Sequence, residues 1–303
     1  MLVTIFMLCF MGQVLTSKLE YLFDPPKAYC SLALICIFGG LCILPFHVFY
    51  LRSRKEMLRV LINIVASPFG IVKFKHFFLA DIITSLVQPL KDFGMMICLF
   101  TSGAWLNLES SSIDLDHTYL QDTKWLQIYI FIVAFVPFWI RLMQCFRRYY
   151  ETKLVVNLKN AGKYFTSILV QAGAIFFVLY SKNSDLAFYC FIGINILSTL
   201  YSYYWDLYMD WGLLRSNEPG KRYLRSKMLY PVWFYYFAAV SNLVMRLMWI
   251  VSIFNSIYPI WFIQSQTNFL ILSIVEGLRR AQWALIRIEN ENVNNFERYR
   301  NVL

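Results

Sequence analysis

The residues best suited to chemistry form one stripe near the C-terminus of the sequence. Glu276, Arg279, Arg280, Trp283 and Arg287 stand in an otherwise apolar stretch, and on a helix their spacing brings them to a single face. Arginine costs at least about 2.5–3.5 kcal/mol at the middle of a bilayer. A membrane helix with this stripe therefore either ends in the headgroups or turns the stripe towards water, a partner or a ligand.

The composition indicates an integral membrane protein. Of the 303 residues, 59% are hydrophobic and only 15% are charged, whereas soluble domains average about 25% charged residues. The net charge of +10 is carried by short basic segments between apolar runs. This pattern is typical of the cytoplasmic loops of membrane proteins and not of a nucleic-acid groove. We therefore expect a lipid bilayer around the chain and no nucleic-acid partner.

The cysteines and histidines do not predict a metal site. None of the seven cysteines forms a C-x-x-C pair, and the chain has three histidines. All seven cysteines lie in or beside apolar segments, so we interpret them as small buried hydrophobic residues. No nucleophile–base pair is evident, so we expect that the protein is not an enzyme and binds no cofactor. The cysteines are Cys9, Cys30, Cys36, Cys42, Cys98, Cys145 and Cys190.

Eight apolar segments are long enough to cross, or nearly cross, a bilayer. The predicted fold is therefore an all-α polytopic bundle with about eight transmembrane segments. The first of them lacks the basic start of a signal peptide and is a short or tilted candidate. The segments are residues 2–16, 30–51, 77–104, 126–146, 164–181, 187–206, 231–254 and 258–280.

The connecting segments alternate in charge. Residues 52–75, 147–163 and 206–229 are basic, whereas residues 106–124 carry four acidic residues and one lysine. By the positive-inside rule, the basic loops are cytoplasmic. The C-terminal tail is then cytoplasmic as well, and with eight spans so is the N-terminus.

Nine ionisable residues lie inside these segments or at their ends. Such groups usually face a bundle interior or a water-filled path. The basic ones outnumber the carboxylates, and planar guanidiniums suit tetrahedral oxyanions through paired hydrogen bonds. The sequence therefore predicts an anion path. The nine residues are Asp81, Lys91, Asp92, Arg141, Lys163, Arg246, Glu276, Arg279 and Arg280.

The basic candidates each have a competing interpretation. Arg246 lies too deep in its segment to reach the headgroups easily, and Trp249 packs either against its guanidinium or in the core. Arg141 is close enough to a basic loop to snorkel. Lys163 and Tyr164 begin a segment, where a lysine and a tyrosine are ordinary interface anchors.

The acidic candidates are interpreted mainly as partners of basic groups. Asp81 has no local cation, so it must pair across helices or line water. Asp206 and Asp210 are four residues apart at a predicted cytoplasmic helix end. We interpret them as structural partners of loop arginines rather than as substrate ligands. Lys91 and Asp92 are taken to neutralise each other.

Six stretches resemble the EXS domain that eukaryotic phosphate exporters share with the yeast ER-retention-defective protein. They follow the family's order across roughly residues 45–300. The resemblance implies that residues 45–303 form a helical EXS transmembrane domain, with a cytoplasmic C-terminal tail, that conducts inorganic phosphate. Residues 1–44 would be N-terminal transmembrane segments. The stretches are Pro68 with residues 77–81, residues 137–149, 160–164, 205–213, 246–249 and 276–295.

The resemblance also implies which side chains line the phosphate path. These are Asp81, Arg141, Lys163, Tyr164, Arg246, Trp249, Glu276, Arg279 and Arg280. One position departs from the exporters, because Thr84 stands where they carry an asparagine. Threonine keeps a hydroxyl but loses the amide, so selectivity or rate is expected to differ. The absence of an N-terminal SPX domain makes the chain similar to the short Golgi member of the family.

Two functions remain open at this point. The leading one is a Golgi phosphate channel or facilitator that returns phosphate from the lumen to the cytosol after glycosylation and supports retention of ER and Golgi residents. Arg246, Arg279 and Arg280 would be its central ligands, and Arg287 a headgroup anchor. The alternative is a membrane adaptor without transport, in which residues 289–300 dock a Golgi coat or sorting protein. A membrane-embedded transferase has no metal-ligand or acidic motif in its favour, and a homodimer stays open.

Overall fold

The computed structural model describes residues 40, 50–102, 124–180, 185–214, 223–225, 227–257 and 265–300. Across these ranges the regular secondary structure is helical and contains no strand. The helices are α1 (Leu51–Val65), α2 (Phe74–Thr84), α3 (Val87–Ser102), α4 (Lys124–Thr152), α5 (Val155–Tyr180), α6 (Asp185–Trp205), α7 (Val232–Arg246), α8 (Trp249–Ile257) and α9 (Ser265–Arg300). The predicted segment 2–16 and nearly all of 30–51 lie outside the described residues.

Three described stretches are long and apolar enough to cross a membrane. They are Lys124–Thr152, Leu186–Asp210 and Val232–Val251. The first is α4, the second is α6 with the turn that follows it, and the third is α7 with the start of α8. The all-helical membrane fold is confirmed, while the number of spans stays a prediction.

Two predicted segments are interrupted. Segment 77–104 is divided between α2 and α3 at Ser85 and Leu86, whose N–H groups donate to carbonyls three residues earlier. Pro89 follows in the first turn of α3, where its missing N–H is tolerated. Segment 231–254 is divided between α7 and α8 at Leu247 and Met248. No proline or glycine stands at this second break, so the local sequence does not predict it.

Two basic segments that were expected as loops are largely helical. Residues 52–65 of segment 52–75 lie in α1, and residues 147–152 are the last turns of α4. Their basic side chains therefore project from helices. Residues 206–210, which were predicted to lie at a helix end, form a π-helical turn directly after α6.

The chain divides into two compact units. The first comprises Met1–Asn63 and Lys91–Phe131. In its described part, Cys98 and Leu126 are buried against Met95 and Tyr129. Gly94 makes this packing possible, because a Cβ atom there would lie 2.1 Å from Cε1 of Tyr129.

The second unit comprises Ile64–Leu90 and Ile132–Leu303 and contains every residue that was predicted to line the phosphate path. Within it, α5 and α6 form a tightly packed pair. A Cβ atom on Gly162 would lie 3.2 Å from the Tyr201 hydroxyl, which donates to the Lys159 carbonyl at 2.7 Å.

A wide turn connects α6 to the core of the second unit. Asp206–Asp210 form one π-helical turn, a feature that is frequent at functional sites. Gly212 follows with φ of +67°, and a Cβ atom there would lie 2.8 Å from Oδ1 of Asn290. Trp211 and Trp283 are then buried together in the core. The turn is thus fixed against α9.

The interpretation of the cysteines as small buried hydrophobic residues is confirmed for two of the three described cysteines. Cys98 and Cys145 are buried, whereas Cys190 is exposed on α6. Its exposure is consistent with a lipid-facing position on a membrane-spanning helix. The other four cysteines lie outside the described residues.

Candidate functional site

Asp81 on α2 pairs across helices with Arg141 on α4. The Nε and Nη2 atoms of Arg141 donate to the two oxygens of Asp81 at 2.7 and 3.2 Å. The Tyr164 hydroxyl on α5 also donates to Asp81 and accepts from Arg141 Nη2 at 2.8 Å. Arg141 is 2% exposed, so the competing interpretation, in which it snorkels towards a loop, is wrong.

Lys163 lies beside this cluster and is likewise buried. Its Nζ atom lies 4.5 Å from the centre of the Tyr164 ring. Among the described residues it makes neither a hydrogen bond nor an ion pair. The interpretation of Lys163 and Tyr164 as interface anchors is therefore wrong, because both side chains lie inside the second unit. The ammonium group is instead available to a ligand.

A second cluster gathers around Asp206 in the wide turn. Arg246 Nη2 donates to its Oδ2 atom at 2.5 Å, and Asn242 Nδ2 donates to the same atom at 3.1 Å. Arg279 Nη1 lies 3.7 Å away. This distance is too long for a hydrogen bond, and Nη1 has no other hydrogen-bond partner in the described part of the chain. Asp206 therefore faces Arg246 on α7 and Arg279 on α9, and its assignment to loop arginines is wrong.

Glu276 and Ser85 connect the stripe on α9 to α2. Glu276 accepts from Arg279 Nε and Nη2 at 2.7 and 2.5 Å. Ser85 donates to Glu276 Oε1 at 2.5 Å and accepts from Arg280 Nε at 2.7 Å. Thr84, the position that departs from the exporters, lies 3.4 Å from Arg280 Nη2.

The remaining members of the stripe surround Asp210. Trp283 Nε1 donates to Asp210 Oδ2 at 3.1 Å, and Arg287 Nε lies 3.6 Å from Asp210 Oδ1. Arg287 also donates to Glu291 at 3.1 Å. Its side chain is 13% exposed. The expectation that Arg287 anchors in the headgroups is therefore wrong, because carboxylates of the protein hold it.

A polar cavity of about 180 Å³ lies among these groups. Four basic side chains line it, against two carboxylates, and asparagine and glutamine amides complete the polar part. A cavity of this size admits a small polyatomic anion. Its polar lining is Asp81, Arg141, Gln144, Arg148, Asn157, Asn160, Lys163, Tyr164, Asp210 and Arg287.

The clusters together carry an excess of positive charge. Seven basic groups belong to them, against five carboxylates. Buried charges need partners, and among the described residues these basic groups outnumber the carboxylates that pair with them. The arrangement therefore suits an anion. The basic groups are Arg141, Arg148, Lys163, Arg246, Arg279, Arg280 and Arg287, and the carboxylates are Asp81, Asp206, Asp210, Glu276 and Glu291.

Trp249 is held by Thr199, whereas the sequence suggested the guanidinium of Arg246 or the core as its neighbour. Its indole Nε1 donates to Thr199 Oγ1 on α6 at 3.1 Å. The guanidinium of Arg246 is held by Asp206 instead. Trp249 thus fixes the start of α8 against α6, one turn beyond Arg246.

Several site residues were missed by sequence reasoning. Ser85 and Gln144 are common polar residues in apolar segments, and nothing in their spacing marks them. Arg148 was counted with a basic loop, although α4 continues through it. Asp206 and Asp210 did give a signal, since their four-residue spacing matches one turn of a helix facing the stripe.

The C-terminal polar stretch begins inside the protein. Glu289 accepts from the Tyr235 hydroxyl at 2.6 Å and from the Leu229 N–H at 2.7 Å. Asn290 Nδ2 donates to the Asp210 carbonyl at 2.9 Å. Both residues are buried. The first part of the predicted docking tail therefore supports the site. No group of three metal-binding side chains occurs within the described ranges.

Comparison with known proteins gives a consistent result. The model of the EXS family matches residues 1–293. Phosphate transporter PHO1 homolog 8 of Arabidopsis thaliana is 35% identical over 273 residues, which cover 89% of this chain and 34% of that protein. SPX and EXS domain-containing protein 1 of Dictyostelium discoideum is 32% identical over 284 residues, or 91% of this chain and 29% of that protein.

A human relative also aligns with nearly the whole of this chain over only part of its own length. Solute carrier family 53 member 1 of Homo sapiens is 30% identical over 311 aligned residues, which cover 90% of this chain and 43% of that protein. The chain thus spans about a third of the length of several curated relatives that it matches. With a family model that covers nearly all of its residues, the chain belongs to the EXS family.

Proposed function

We propose that the chain carries inorganic phosphate across a membrane along the buried polar groups of its second unit. The observation that carries this proposal is the cavity of about 180 Å³ lined by Arg141, Arg148, Lys163 and Arg287. It lies in a unit that contains membrane-spanning helices. The relatives that are named phosphate transporters support phosphate as the anion.

The geometry suggests how an anion would be bound. Arg279 Nη1 has no hydrogen-bond partner among the described residues. Lys163 Nζ contacts the Tyr164 and Trp205 rings there but has no hydrogen bond or ion pair. Each can therefore donate to an oxyanion without first losing a hydrogen bond. Arg141, Arg246 and Arg279 are each bonded to a carboxylate. A phosphate that approaches them must compete with that carboxylate.

This competition is suited to transport. Binding in a conducting path must be strong enough for entry and weak enough for release. Carboxylates that already bond the guanidiniums reduce the favourable free energy of phosphate binding. When phosphate leaves, they bond the guanidiniums again. Asp81, Asp206 and Glu276 would fill this role. The site therefore favours a weak-binding facilitator over a tight-binding receptor.

We further propose that the protein resides in a Golgi membrane and moves phosphate from the lumen to the cytosol. This would remove phosphate formed by glycosylation and indirectly support retention of ER and Golgi residents. The support is the resemblance of six sequence stretches to the EXS domain, which the yeast ER-retention-defective protein shares with the exporters. Imaging of a tagged full chain with a Golgi marker tests the location, and a uniform plasma-membrane signal would contradict it.

Flux measurement tests transport directly. Purified protein in proteoliposomes loaded with phosphate should release it faster than protein-free vesicles of the same lipid. Truncation separates transport from the adaptor function. Removal of the residues after Val293 leaves Glu289 and Asn290 in place and should preserve flux. If the truncated protein mislocalises its cargo enzymes while the full chain shows no flux, the adaptor function is correct instead.

A further inference from the structure

Asp210 differs from Asp81, the other carboxylate that lines the cavity, in its hydrogen bonding. Its Oδ2 atom accepts from the Trp283 indole at 3.1 Å. Its Oδ1 atom lies 3.6 Å from Arg287 Nε, beyond hydrogen-bond distance. Within the described residues Oδ1 thus accepts no hydrogen bond. By contrast, both oxygens of Asp81 and both of Glu276 accept from guanidiniums.

Asp210 also lines the anion cavity. The same cavity is lined by Lys163, Arg148 and Arg287, and the Asp210 side chain is 13% exposed. An ionised carboxylate can only accept hydrogen bonds. An anion in this cavity therefore meets donors on its basic side and two acceptors that are short of a donor among the described residues, the Asp210 carboxylate and the Asn160 amide oxygen. Of these two groups only the carboxylate is an acceptor alone, because an amide can also turn its N–H₂ group towards the anion.

This combination distinguishes between tetrahedral anions. Phosphate near neutral pH carries at least one P–OH group, which can donate to a carboxylate while its other oxygens accept from the basic groups. Sulfate carries no hydroxyl at that pH. It would bring an oxygen against Asp210, and two acceptors with no proton between them repel each other. A site built around a substrate hydroxyl rejects analogues that lack it strongly.

We propose that Asp210 is the specificity-determining residue of the path and selects oxyanions that carry a hydroxyl, phosphate and arsenate, over sulfate. The inference rests on the proposed function for its substrate class. Trp283 and Asn290 act as positioning residues, because they hold the side chain and the backbone carbonyl of Asp210. Asp210 accepts from the P–OH group, and the basic residues of the cavity donate to the remaining oxygens.

Glu291 provides a matched control. Arg287 lies between two carboxylates, with Asp210 at 3.6 Å and Glu291 at 3.1 Å. Asp210→Asn and Glu291→Gln each remove one negative charge beside the same guanidinium. Glu291 does not line the cavity, so only the first substitution removes the acceptor from the anion. A general electrostatic effect would change both variants alike.

Competition binding on detergent-solubilised protein measures the selectivity. Labelled phosphate is displaced by unlabelled phosphate, arsenate or sulfate, and the affinity ratio of phosphate to sulfate is the readout. The ratio should fall by at least about tenfold in Asp210→Asn, since the amide offers N–H donors that sulfate can use. Glu291→Gln should keep the ratio of the unmodified protein. An unchanged ratio in Asp210→Asn would overturn the proposal.

A ligand series covers the case in which Asp210→Asn does not fold. In the unmodified protein, arsenate should compete with phosphate, whereas sulfate and the monofluorophosphate dianion, which both lack a hydroxyl, should not. Equal competition by all four anions would contradict the role of Asp210.

Flux separates this proposal from the proposed function. If vesicles carry phosphate and sulfate equally, transport stands and the role of Asp210 is overturned. If vesicles transport neither anion while the detergent-solubilised protein still prefers phosphate through Asp210, the transport proposal fails and the selectivity proposal stands. If the protein binds no phosphate, both are overturned.

Discussion

Arg141 and Asp81 form a two-point ion pair between α4 and α2, with donor–acceptor distances of 2.7 and 3.2 Å. The two side chains are 3% and 7% exposed. Tyr164 bonds both of them. The carboxylate thus occupies the edge of the guanidinium that would otherwise meet a phosphate. This pair links the stability of the unit to its anion site.

Asp81→Ala should destabilise the protein by about 3–5 kcal/mol, because it leaves Arg141 buried without its counter-charge. Thermal unfolding in detergent measures the loss. A double variant, Asp81→Leu with Arg141→Met, should recover much of it, since apolar replacement of both partners of a buried pair is often neutral. Because it lacks the Arg141 guanidinium, the double variant should bind no phosphate at this cluster.

Glu151→Ala is the matched control for that prediction. Glu151 accepts from Arg147 on the same helix α4, but the two side chains are 27% and 30% exposed. An exposed pair four residues apart contributes about 0.3–0.5 kcal/mol. If Asp81→Ala costs no more than Glu151→Ala, Arg141 does not depend on Asp81 in the folded protein.

Lys163→Met should weaken phosphate binding by about tenfold or more with little effect on unfolding. The ammonium has no hydrogen bond or ion pair with a described residue, whereas a charge-assisted bond to an anion contributes about 1.5–3 kcal/mol. Lys159→Met, one turn earlier on α5 and exposed, should leave binding unchanged. Equal effects of the two substitutions would show that total charge, and not the position of Lys163, determines binding.

Gly212→Ala should destabilise the protein by about 1–2 kcal/mol from the left-handed backbone alone, and more from the close approach of Asn290. Gly193→Ala is the control, because Gly193 lies within α6 and a Cβ atom added there would meet no atom within 4 Å. Alanine there should stabilise the helix by about 0.5–1 kcal/mol. Opposite shifts in the unfolding temperature are expected, and a stabilising Gly212→Ala would contradict the described turn.

The sequence was sufficient for the fold class but not for the helix breaks. Apolar length predicts membrane helices such as α4 because the bilayer sets a minimum span. The break at Leu247 and Met248 has no local signal, since neither proline nor glycine stands there. It lies directly after Arg246, whose partner Asp206 comes from a distant part of the chain. Such a break depends on tertiary contacts.

Dependence on tertiary contacts also determined which features of the site could be predicted. Arg246 and Asp81 were identifiable because ionised groups in apolar segments are costly and require partners. Their partners were not identifiable, since pairing depends on how helices face each other. Arg287 was misassigned for this reason. Its position near the end of an apolar stretch suggested the headgroups, but Asp210 and Glu291 lie beside it.

The most direct test of the account is phosphate efflux from proteoliposomes that contain either the unmodified protein or Arg246→Ala. Arg246 bonds Asp206 in the second cluster and is a proposed central ligand. Unfolding temperature and vesicle incorporation are measured for both proteins, so that a folding defect is recognised. We predict saturable efflux from the unmodified protein and at least a tenfold loss in a folded Arg246→Ala protein. Undiminished efflux through Arg246→Ala, or no efflux through the unmodified protein, would contradict the account.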